Sequence, residues 1–430
     1  MSHPPDSPFR VIAMNSVEER VLGSIDIDGL VKSVCDLIEM PSVTGEESAA
    51  QRLVASMMRN VGLGVDVWEI DLESLRKNPH FSMGVDRKEG LGVVGTMGGS
   101  GGRSLILNGH IDVVSPGDES NWRYPPWRGT VEGGRLFGRG TVDMKGGLCC
   151  ALHAVKAVRD AGVELDGRLF VESVVGEEDG GVGTLAAVIR GYKADGAIVM
   201  EPTELKVAPA QAGSHCFRIR IKGLSAHACV RDEGVSALDK FMPIYHTLMN
   251  LEAKRNSMVR DPLFSRFKLP IPLNIGVVKC GNWPSSVPEE LVFEGRYGIG
   301  VDEDVGEAHR LFEDAVSEAA GLDDWLRVHP PEIEWVGGQF NPARTPSDSV
   351  VSTTVAKAYE DATGSLARIE GVTYGSDARH LVNVGNIPTV LFGPGDVRLC
   401  HRPDESVPVD DLVKATRALA LTITRFCGIH

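Results

Sequence analysis

The chain has 430 residues, and its 42% hydrophobic content is close to the globular average, which argues against disordered and low-complexity proteins. At about 150 residues per domain, this length suits two domains. The 59 acidic residues outnumber the 44 basic ones, for a net charge of −15 without a run of Lys and Arg, so neither nucleic acid nor a membrane is an expected partner.

The N-terminal segment MSHPPDSPFR is rich in proline and lacks the apolar region of a secretory signal. No stretch of ~20 apolar residues, the length needed to span a bilayer, occurs anywhere in the chain. The eight cysteines are scattered and form no CxxC pair, which favours reduced thiols. We therefore predict a cytoplasmic protein.

The first half of the chain mixes helical and strand patterns. Helical spacing occurs in LVKSVCDLIEM and AAQRLVASMMRNVG, with Thr44 between them as a candidate cap of the second helix. Apolar runs then predict strands, with the helical patterns GGLCCALHAVKAVRDAG and VGTLAAVIRGY among them; the runs are VDVWEI, LGVVGTM, SLILNGHIDVV, RLFVESVVGEE and GAIVMEPT. This order predicts an α/β domain with a mainly parallel sheet.

The pattern changes after Gln211. The alternating strand HCFRIRIKG is followed by a long helix, the strands LNIGVVK and ELVFEGRYGI, a second helix and the strand EIEWVG. This βαββαβ order is typical of a ferredoxin-like unit. The α/β pattern resumes after Gln339 and ends in a helix from Asp410. We therefore predict one domain of residues 1–211 and 339–430, with a second domain of residues 212–338 inserted into it.

Charged side chains gather where the predicted strands end, which is where open α/β sheets bind ligands. The residues are His110, Asp112, Asp143, Glu177, Glu178, Glu201 and His401. Singly, each has an ordinary structural explanation; Asp143, for example, could cap the helix that follows it. Together, two imidazoles and several carboxylates form a mixed nitrogen and oxygen set suited to zinc, manganese or cobalt.

The chain resembles peptidase family M20, in its acetylornithine deacetylase and succinyl-diaminopimelate desuccinylase branch. The matching stretches, between about Val21 and Thr424, are NGHIDVV, WRYPPWRGTVEGGRLFGRGTVDMKGG, GEEDGG, EPT, GLSAHA, YGSDARHL and CHRPDESV. The resemblance implies that the larger domain is catalytic and binds metal, and that the inserted domain is a lid through which two subunits form a homodimer.

The resemblance also implies a site for two divalent ions, zinc, manganese or cobalt, in each subunit. Asp143 would bridge the two ions. His110 and Glu201 would complete one ion's ligands, and Glu178 and His401 would complete the other's. A carboxylate has two oxygens and can span ions ~3.5–4 Å apart.

Two further residues of the catalytic domain acquire roles from the resemblance. The carboxylate of Asp112 would accept the second N–H of the His110 imidazole and so fix its tautomer. Glu177 would act as general base toward a metal-activated water that attacks an amide carbonyl, and would return the proton to the departing nitrogen. No GxSxG elbow between a strand and a helix is present, since the match GGSGG at residues 98–102 lies between two predicted strands, and a serine nucleophile is therefore disfavoured.

The lid and one loop would supply the remaining contacts. His227, in GLSAHA, would donate a hydrogen bond to the oxyanion in the partner subunit's site, or would merely cap the following turn. Arg296 matches the lid arginine that holds a substrate carboxylate, although an arginine on a half-exposed strand is often only a surface charge. The other predicted substrate-binding residues are Asn274, Tyr374, Gly375 and Ser376.

The predicted function is hydrolysis of the amide bond of a small carboxylate-bearing substrate, most simply an N-acyl amino acid. A dipeptidase, a carbamoyl-amino-acid hydrolase or an aminohydrolase that releases ammonia would use the same site. Trp122, Tyr124 and Trp127 would favour a flat or aromatic substrate unless they pack the loop that carries them. A non-catalytic binding protein is disfavoured, because the chain retains all the predicted ligands and the base.

Overall fold

The computed structural model describes residues 14–430. The segment MSHPPDSPFR, on which the prediction about a secretory signal rests, lies outside the described residues. Among the helices of residues 14–430, none combines the length and the apolar character needed to cross a membrane.

A six-stranded sheet, called the large sheet here, forms the centre of the first and last parts of the chain. Its strands are β1 (Gly64–Glu69), β2 (Leu91–Gly98), β3 (Leu105–His110), β6 (Arg168–Val174), β7 (Gly196–Val199) and β14 (Thr389–Leu391). The order is β1-β2-β6-β3-β7-β14, in which the last four strands run parallel and β1 and β2 pair antiparallel. The predicted mainly parallel sheet is confirmed.

Helices cover both faces of the large sheet. They are α1 (Ser16–Gly23), α2 (Ile27–Ile38), α3 (Ser48–Asn60), α4 (Leu72–Leu75), α5 (Lys145–Asp160), α6 (Val182–Arg190), α10 (Val350–Thr363), α11 (Ala378–Asn383) and α12 (Val409–Cys427). Leu105 and Leu107 of β3 join the core formed with α2, α3, α5 and α12, whereas Ile106 joins the core formed with α6 and α11. Successive side chains of a strand face opposite sides, so this strand is apolar throughout.

The start of α5 lies unusually close to neighbouring backbone. A Cβ atom on Gly146 would lie 2.3 Å from the Thr141 carbonyl oxygen, and one on Gly147 would lie 2.3 Å from that of Met200. Only glycine permits this approach. The first turn of α5, which follows Asp143, thereby lies against the residue after β7.

A separate four-stranded sheet, called the small sheet here, occupies the middle of the chain. Its strands are β9 (Gly213–Lys222), β10 (Leu273–Cys280), β11 (Glu290–Ile299) and β12 (Glu332–Phe340), and the accompanying helices are α7 (Ala237–Asn256), α8 (Val305–Gly321) and α9 (Asp324–Val328). The strands pair antiparallel in the order β10-β11-β9-β12. Phe217, Ile219 and Ile221 of β9 share a core with α7 and α8. The predicted ferredoxin-like arrangement is confirmed.

The chain enters and leaves the small sheet side by side. The short strands β8 (Ala210–Gln211) and β13 (Ala343–Arg344) pair with each other, and Ser214 of β9 pairs with Phe340 of β12. A separate three-stranded sheet is formed by β4 (Thr130–Glu132), β5 (Arg135–Phe137) and β15 (Ser406–Pro408). The division into domains at residues 212 and 338 stays a prediction, and it falls beside this crossing.

Candidate metal centre

The predicted metal-binding side chains come from segments far apart in sequence and meet beyond the ends of the parallel strands. His110 is the last residue of β3. Glu178 follows β6, Glu201 follows β7, and Asp143 lies in the loop before α5. His401 lies between β14 and β15. Parallel strands end at one edge of a sheet, so these ends place the groups together.

Asp143 stands between the two histidines. Its Oδ1 lies 3.1 Å from His110 Nε2, and its Oδ2 lies 3.2 Å from His401 Nε2. Glu201 Oε1 is 3.8 Å from His110 Nε2, and Glu178 Oε2 is 3.1 Å from His401 Nε2. Each oxygen of Asp143 therefore faces one imidazole, and each imidazole also has a second carboxylate beside it. Asp143 does not cap α5, whose N-cap is Met144 without a side-chain hydrogen bond.

The His110 ring is oriented by backbone. Its Nδ1 lies 2.8 Å from the main-chain carbonyl oxygen of Asp112. A carbonyl oxygen can only accept, so Nδ1 carries a hydrogen, and Nε2 is the ring nitrogen that faces Asp143. The expected partner was the Asp112 carboxylate, but its nearer oxygen is 3.7 Å from Nδ1. That expectation is wrong, because the main chain already occupies this position.

The Asp112 carboxylate instead holds the loop that follows β6. Its Oδ1 accepts the main-chain N–H of Glu177 at 3.1 Å, and its Oδ2 accepts that of Glu178 at 3.2 Å. The Thr44 hydroxyl donates to Oδ2 at 3.2 Å. Thr44 was expected to cap α3, but Glu47 occupies the N-cap position without a side-chain cap. Asp112 is fully buried and orients both glutamates through their backbone.

Glu177 lies within the cluster, beside His110 and Glu201. It is buried, and one of its carboxylate oxygens lies within 4.8 Å of ligand atoms of His110 and Glu201. Burial, together with the negative charge of Glu201, raises the pKa of Glu177 well above its usual range. A carboxylate of raised pKa is a stronger base, which suits proton transfer near neutral pH.

The donor set fits divalent cations. Burial and neighbouring negative charge also raise the pKa values of Glu178 and Glu201, since several carboxylates crowd one water-poor region. Hydrogen bonds with Asp143 and Glu178 raise the pKa of His401 to about 10. Among residues 14–430, Glu178 Oε1 is buried without a hydrogen-bond partner. Cations would relieve this repulsion and occupy the unpartnered oxygen, and oxygen and imidazole ligands suit zinc, manganese and cobalt.

Arg296 contacts the loop that carries Tyr374, which lies near the carboxylates of this centre. Arg296 Nη2 donates to the Thr373 carbonyl oxygen at 3.3 Å. The Tyr374 hydroxyl donates to the carbonyl oxygen of Pro202 at 3.2 Å, and burial and Glu201 raise the pKa of Tyr374 well above its ordinary value. Asn274 lies directly opposite Arg296 on the neighbouring strand and is exposed. A residue of the small sheet thus contacts the loop that reaches the predicted metal ligands.

Gly375 and Ser376 face protein. A Cβ atom on Gly375 would lie 2.3 Å from Phe340 Cβ. Ser376 is fully buried, and its hydroxyl donates to Gln211 Oε1 at 2.5 Å. That bond uses the one hydrogen that the hydroxyl could offer a substrate. These two residues anchor the Tyr374 loop against β8 and β12.

His227 is exposed at the start of a 3₁₀ turn (Ala228–Glu233). Its Nδ1 accepts the main-chain N–H of Cys229 at 3.2 Å and lies 2.9 Å from Cys229 Sγ. Over residues 14–430, the hydrogen bonds of this ring go to Cys229 alone. Within its own chain, His227 therefore caps the turn that follows it. A hydrogen bond from His227 to the partner subunit's site stays a prediction.

Two of the three aromatic residues that could contact a flat substrate, Trp122 and Tyr124, instead pack against neighbouring protein. Trp122 is buried, its Nε1 donates to the Pro116 carbonyl oxygen at 3.0 Å, and the Arg139 guanidinium lies 5.1 Å from its ring centroid. The Tyr124 and Phe137 ring centroids are 4.7 Å apart. The packing alternative holds for Trp122 and Tyr124, and Trp127 is half-buried.

Sequence reasoning missed the buried charged groups that hold the site loops. Glu405 accepts hydrogen bonds from the loop of Asp143, and its one sequence signal was its place in CHRPDESV. Arg87 Nη2 lies 2.8 Å from Glu47 Oε1 and 3.5 Å from Asp179 Oδ1, which ties the Glu177 loop to the segment before β2. Nothing in the sequence around Arg87 indicated this contact.

Comparison with known proteins gives a family and a fold. The family model described as Peptidase family M20/M25/M40 matches residues 106–425. The chain is 29% identical to N-formyl-4-amino-5-aminomethyl-2-methylpyrimidine deformylase of Halalkalibacterium halodurans, covering 96% of this chain and 99% of the relative. It is 32% identical to acetylornithine deacetylase of Myxococcus xanthus, covering 79% and 85%. A di-peptidase structure from Saccharomyces cerevisiae matches with a TM-score of 0.76 at 13% identity, covering 96% of this chain and 99% of that one.

Proposed function

The chain belongs to peptidase family M20/M25/M40 and is a hydrolase of amide bonds, and we propose that it removes a short acyl group from the nitrogen of a small substrate, most simply an N-acyl amino acid. The observation that carries this proposal is the pairing of Asp143 with both His110 and His401, with Glu177 buried beside them. The mixed nitrogen and oxygen donors support a hydrolytic metal centre.

We propose that the centre holds two divalent ions. His110, Glu201 and Asp143 Oδ1 would hold one ion, and His401, Glu178 and Asp143 Oδ2 would hold the other; the facing distances around Asp143 support this division. Divalent ions bound there would acidify water and polarise the carbonyl group of a substrate.

Glu177 is the proposed general base. It takes a proton from the attacking water and delivers it to the departing nitrogen, so that an acid and an amine leave. Its buried position supports this role, since burial raises its pKa and excludes competing solvent. Asp112 holds the Glu177 main-chain N–H and so keeps the base in place.

Arg296 is the proposed partner of a substrate carboxylate. Its Nη2 is held by Thr373, while its Nε, within the described part of the chain, is buried without a hydrogen-bond partner. A planar guanidinium with a free donor suits a carboxylate. Tyr374 and Asn274, which lie beside it, complete the proposed substrate contacts.

We propose a homodimer that uses the small sheet. The strand β10 lies at the edge of that sheet, and its Val277 and Val278 are 41% and 49% exposed. An exposed apolar edge is a surface for another chain. In such a dimer His227 would serve the partner's site.

The eight cysteines are free thiols, which supports a reducing cytoplasm as the location.

A second candidate substrate comes from the relative that aligns over nearly the whole chain. The Halalkalibacterium halodurans protein is named for removing a formyl group from an aminomethylpyrimidine. A formyl amide on an aminomethylpyrimidine would use the same base and ions. It would make no use of Arg296 as a carboxylate partner, and this difference separates the two candidates.

The test is a product screen by liquid chromatography and mass spectrometry. Full-length protein loaded with zinc, manganese or cobalt is incubated with N-acetyl, N-succinyl, N-formyl and N-carbamoyl amino acids, dipeptides, aromatic amines and a formylated aminomethylpyrimidine. Glu177→Gln is the inactive reference, and Glu73→Gln, an exposed glutamate in α4, is the matched control. Release of an acid and an amine by wild type and Glu73→Gln alone supports the proposal. No turnover with any metal overturns it.

A further inference from the structure

One buried carboxylate links the loop of Asp143 to the segment of His401. Glu405 is fully buried, lies just before β15 and follows His401 by four residues. Its main-chain carbonyl oxygen accepts the N–H of Gly138 at 3.0 Å, where the loop after β5 begins. The two segments are therefore neighbours through backbone as well as side chain.

The Glu405 side chain accepts hydrogen bonds from successive parts of that loop. Its Oε1 accepts the main-chain N–H groups of Gly140, Val142 and Asp143 at 3.0, 2.9 and 3.1 Å. Its Oε2 accepts Arg139 Nη1 at 2.5 Å. Three main-chain donors on one oxygen fix the path of the loop up to the residue whose two oxygens face the two histidines. Hydrogen bonds to a charged acceptor are stronger than neutral ones.

A purely structural carboxylate would stabilise the fold without affecting the centre. Two features of Glu405 indicate that it also acts on the proposed metal ligands. The last of its donors is the main-chain N–H of Asp143 itself, so the carboxylate acts at the proposed bridging residue. Its own segment also carries His401, whose Nε2 is 3.2 Å from Asp143 Oδ2. One side chain therefore sets the spacing of two groups that come from distant parts of the sequence.

We propose that Glu405 is a positioning residue that holds Asp143 in register with His401 and so maintains the affinity of the centre for divalent ions. This rests on the proposed function, because it assumes that these side chains bind ions. Residues behind metal ligands affect metal affinity by ~10- to 100-fold when they are removed.

The possible substitutions differ in a predictable way. Glu405→Ala removes the acceptor from all three main-chain N–H groups and leaves the Arg139 guanidinium unpaired in the interior. Glu405→Gln keeps one carbonyl oxygen for the N–H groups. Its NH₂ group then faces the Arg139 guanidinium, so two hydrogen-bond donors oppose each other. We therefore expect the metal affinity of Glu405→Gln to lie between those of wild type and Glu405→Ala.

The matched control is Asp361, a nearly buried carboxylate on α10. It pairs with Arg425 of α12 at 2.7 Å and with Lys357 at 2.9 Å. Asp361→Ala also breaks an ion pair with an arginine, but that pair joins α10 to α12, and the pair with Lys357 lies within α10, so neither involves the loops of the centre. Loss of general stability is thereby separated from loss of positioning.

The experiment titrates Co²⁺ into metal-free full-length proteins and follows the visible absorption and the ions bound per chain. Thermal unfolding of the same metal-free samples reports stability. We expect at least tenfold weaker Co²⁺ binding and an altered spectrum for Glu405→Ala, a smaller change for Glu405→Gln, and wild-type binding for Asp361→Ala.

Two outcomes would overturn the inference, and they are distinguishable. Wild-type protein that binds no Co²⁺ refutes the proposed metal centre, and the role of Glu405 fails with it. Wild-type protein that binds Co²⁺, alongside a Glu405 variant with the same affinity and spectrum, refutes the positioning role alone. Should Glu405→Ala not fold, Glu405→Gln decides by the same measurement.

Discussion

His110 donates its Nδ1–H to the main-chain carbonyl oxygen of Asp112, with 2.8 Å between the two heavy atoms. A peptide carbonyl has no protonation state to lose, so Nδ1 keeps its hydrogen whether or not Nε2 also carries one. The Asp112 carboxylate is left to hold the backbone of the Glu177 loop. The backbone and the side chain of one residue therefore orient two different groups of the centre.

Asp112→Asn should impair the base and spare the imidazole. The new amide group would face a main-chain N–H of Glu177 or Glu178, donor against donor, and the loop would shift. We expect kcat to fall ~10- to 100-fold. The ¹⁵N chemical shifts of the His110 ring in metal-free protein should stay at their wild-type values. A changed tautomer of His110 would contradict the assignment of its hydrogen bond to the backbone.

The ions bound per chain should distinguish Asp143 from His401. Asp143 faces both imidazoles, whereas His401 faces one side of the centre. Asp143→Asn should therefore lose both ions after dialysis, and His401→Gln should lose one, as counted by mass spectrometry of the metals. His246→Gln, an exposed histidine of α7, should bind as wild type does. Equal losses from Asp143→Asn and His401→Gln would argue against a bridging carboxylate.

Arg296→Met should raise KM for substrates that carry a carboxylate and leave kcat nearly unchanged. A hydrogen bond to a charged group contributes about 1.5–3 kcal/mol, which corresponds to a rise of roughly 10- to 150-fold. Arg218→Met, a half-exposed arginine on β9 of the same sheet, is the control. A substrate without a carboxylate should show no difference, and an equal rise for both substrate types would remove Arg296 from carboxylate recognition.

Mixed dimers should show which site His227 serves. We expect His227→Ala and Glu177→Gln to be inactive alone. In a mixed dimer, the subunit that keeps Glu177 would receive His227 from its partner. Random reassociation should restore about a quarter of wild-type activity, because half of the dimers are mixed and each has one complete site. Activity that stays at the level of the separate variants would place His227 outside the partner's site.

Glu172→Gln should stabilise the metal-free protein in a pH-dependent way. Burial raises the pKa of Glu172 from an ordinary value of 4.5 to about 7. Between these values the unfolded chain loses a proton that the folded chain keeps, so wild-type stability falls as pH rises, by up to about 3 kcal/mol. Glutamine does not ionise and escapes this loss. It can also donate to Asn108 Oδ1, which is buried without a partner among residues 14–430.

Urea unfolding at pH 5 and at pH 8 measures this effect. The gain in the unfolding free energy of Glu172→Gln over wild type should be larger at pH 8. A gain that is the same at both values would mean that Glu172 titrates in the folded protein as it does in the unfolded chain.

The sequence predicted the elements and the chemical groups better than it predicted the contacts between them. Hydrophobic periodicity predicts where the strands lie, and parallel strands end at the same edge of a sheet. The meeting of the groups around Asp143 could therefore be predicted from the sequence. The partners of Asp112 and Ser376 were not predictable in this way. Their contacts depend on where main-chain N–H and carbonyl groups lie in three dimensions, and residue types alone do not give these positions.

The role of Glu405 also could not be predicted from residue types alone. Its place in a motif suggested importance, but its role depends on a loop that lies far away in the sequence. Trp122 was uncertain for a related reason, because an aromatic ring near a site and one that packs a loop have the same sequence pattern. Packing against Arg139 resolves that case.

The crossing of the chain at β8 and β13 brings the two ends of the segment that carries the small sheet together. Gln211 pairs with Ala343, so a short linker could join them and leave the large sheet and its strand order intact. Because Arg296 lies on this segment and Asp143 does not, an exchange of the segment would replace the proposed carboxylate partner while keeping the proposed metal ligands.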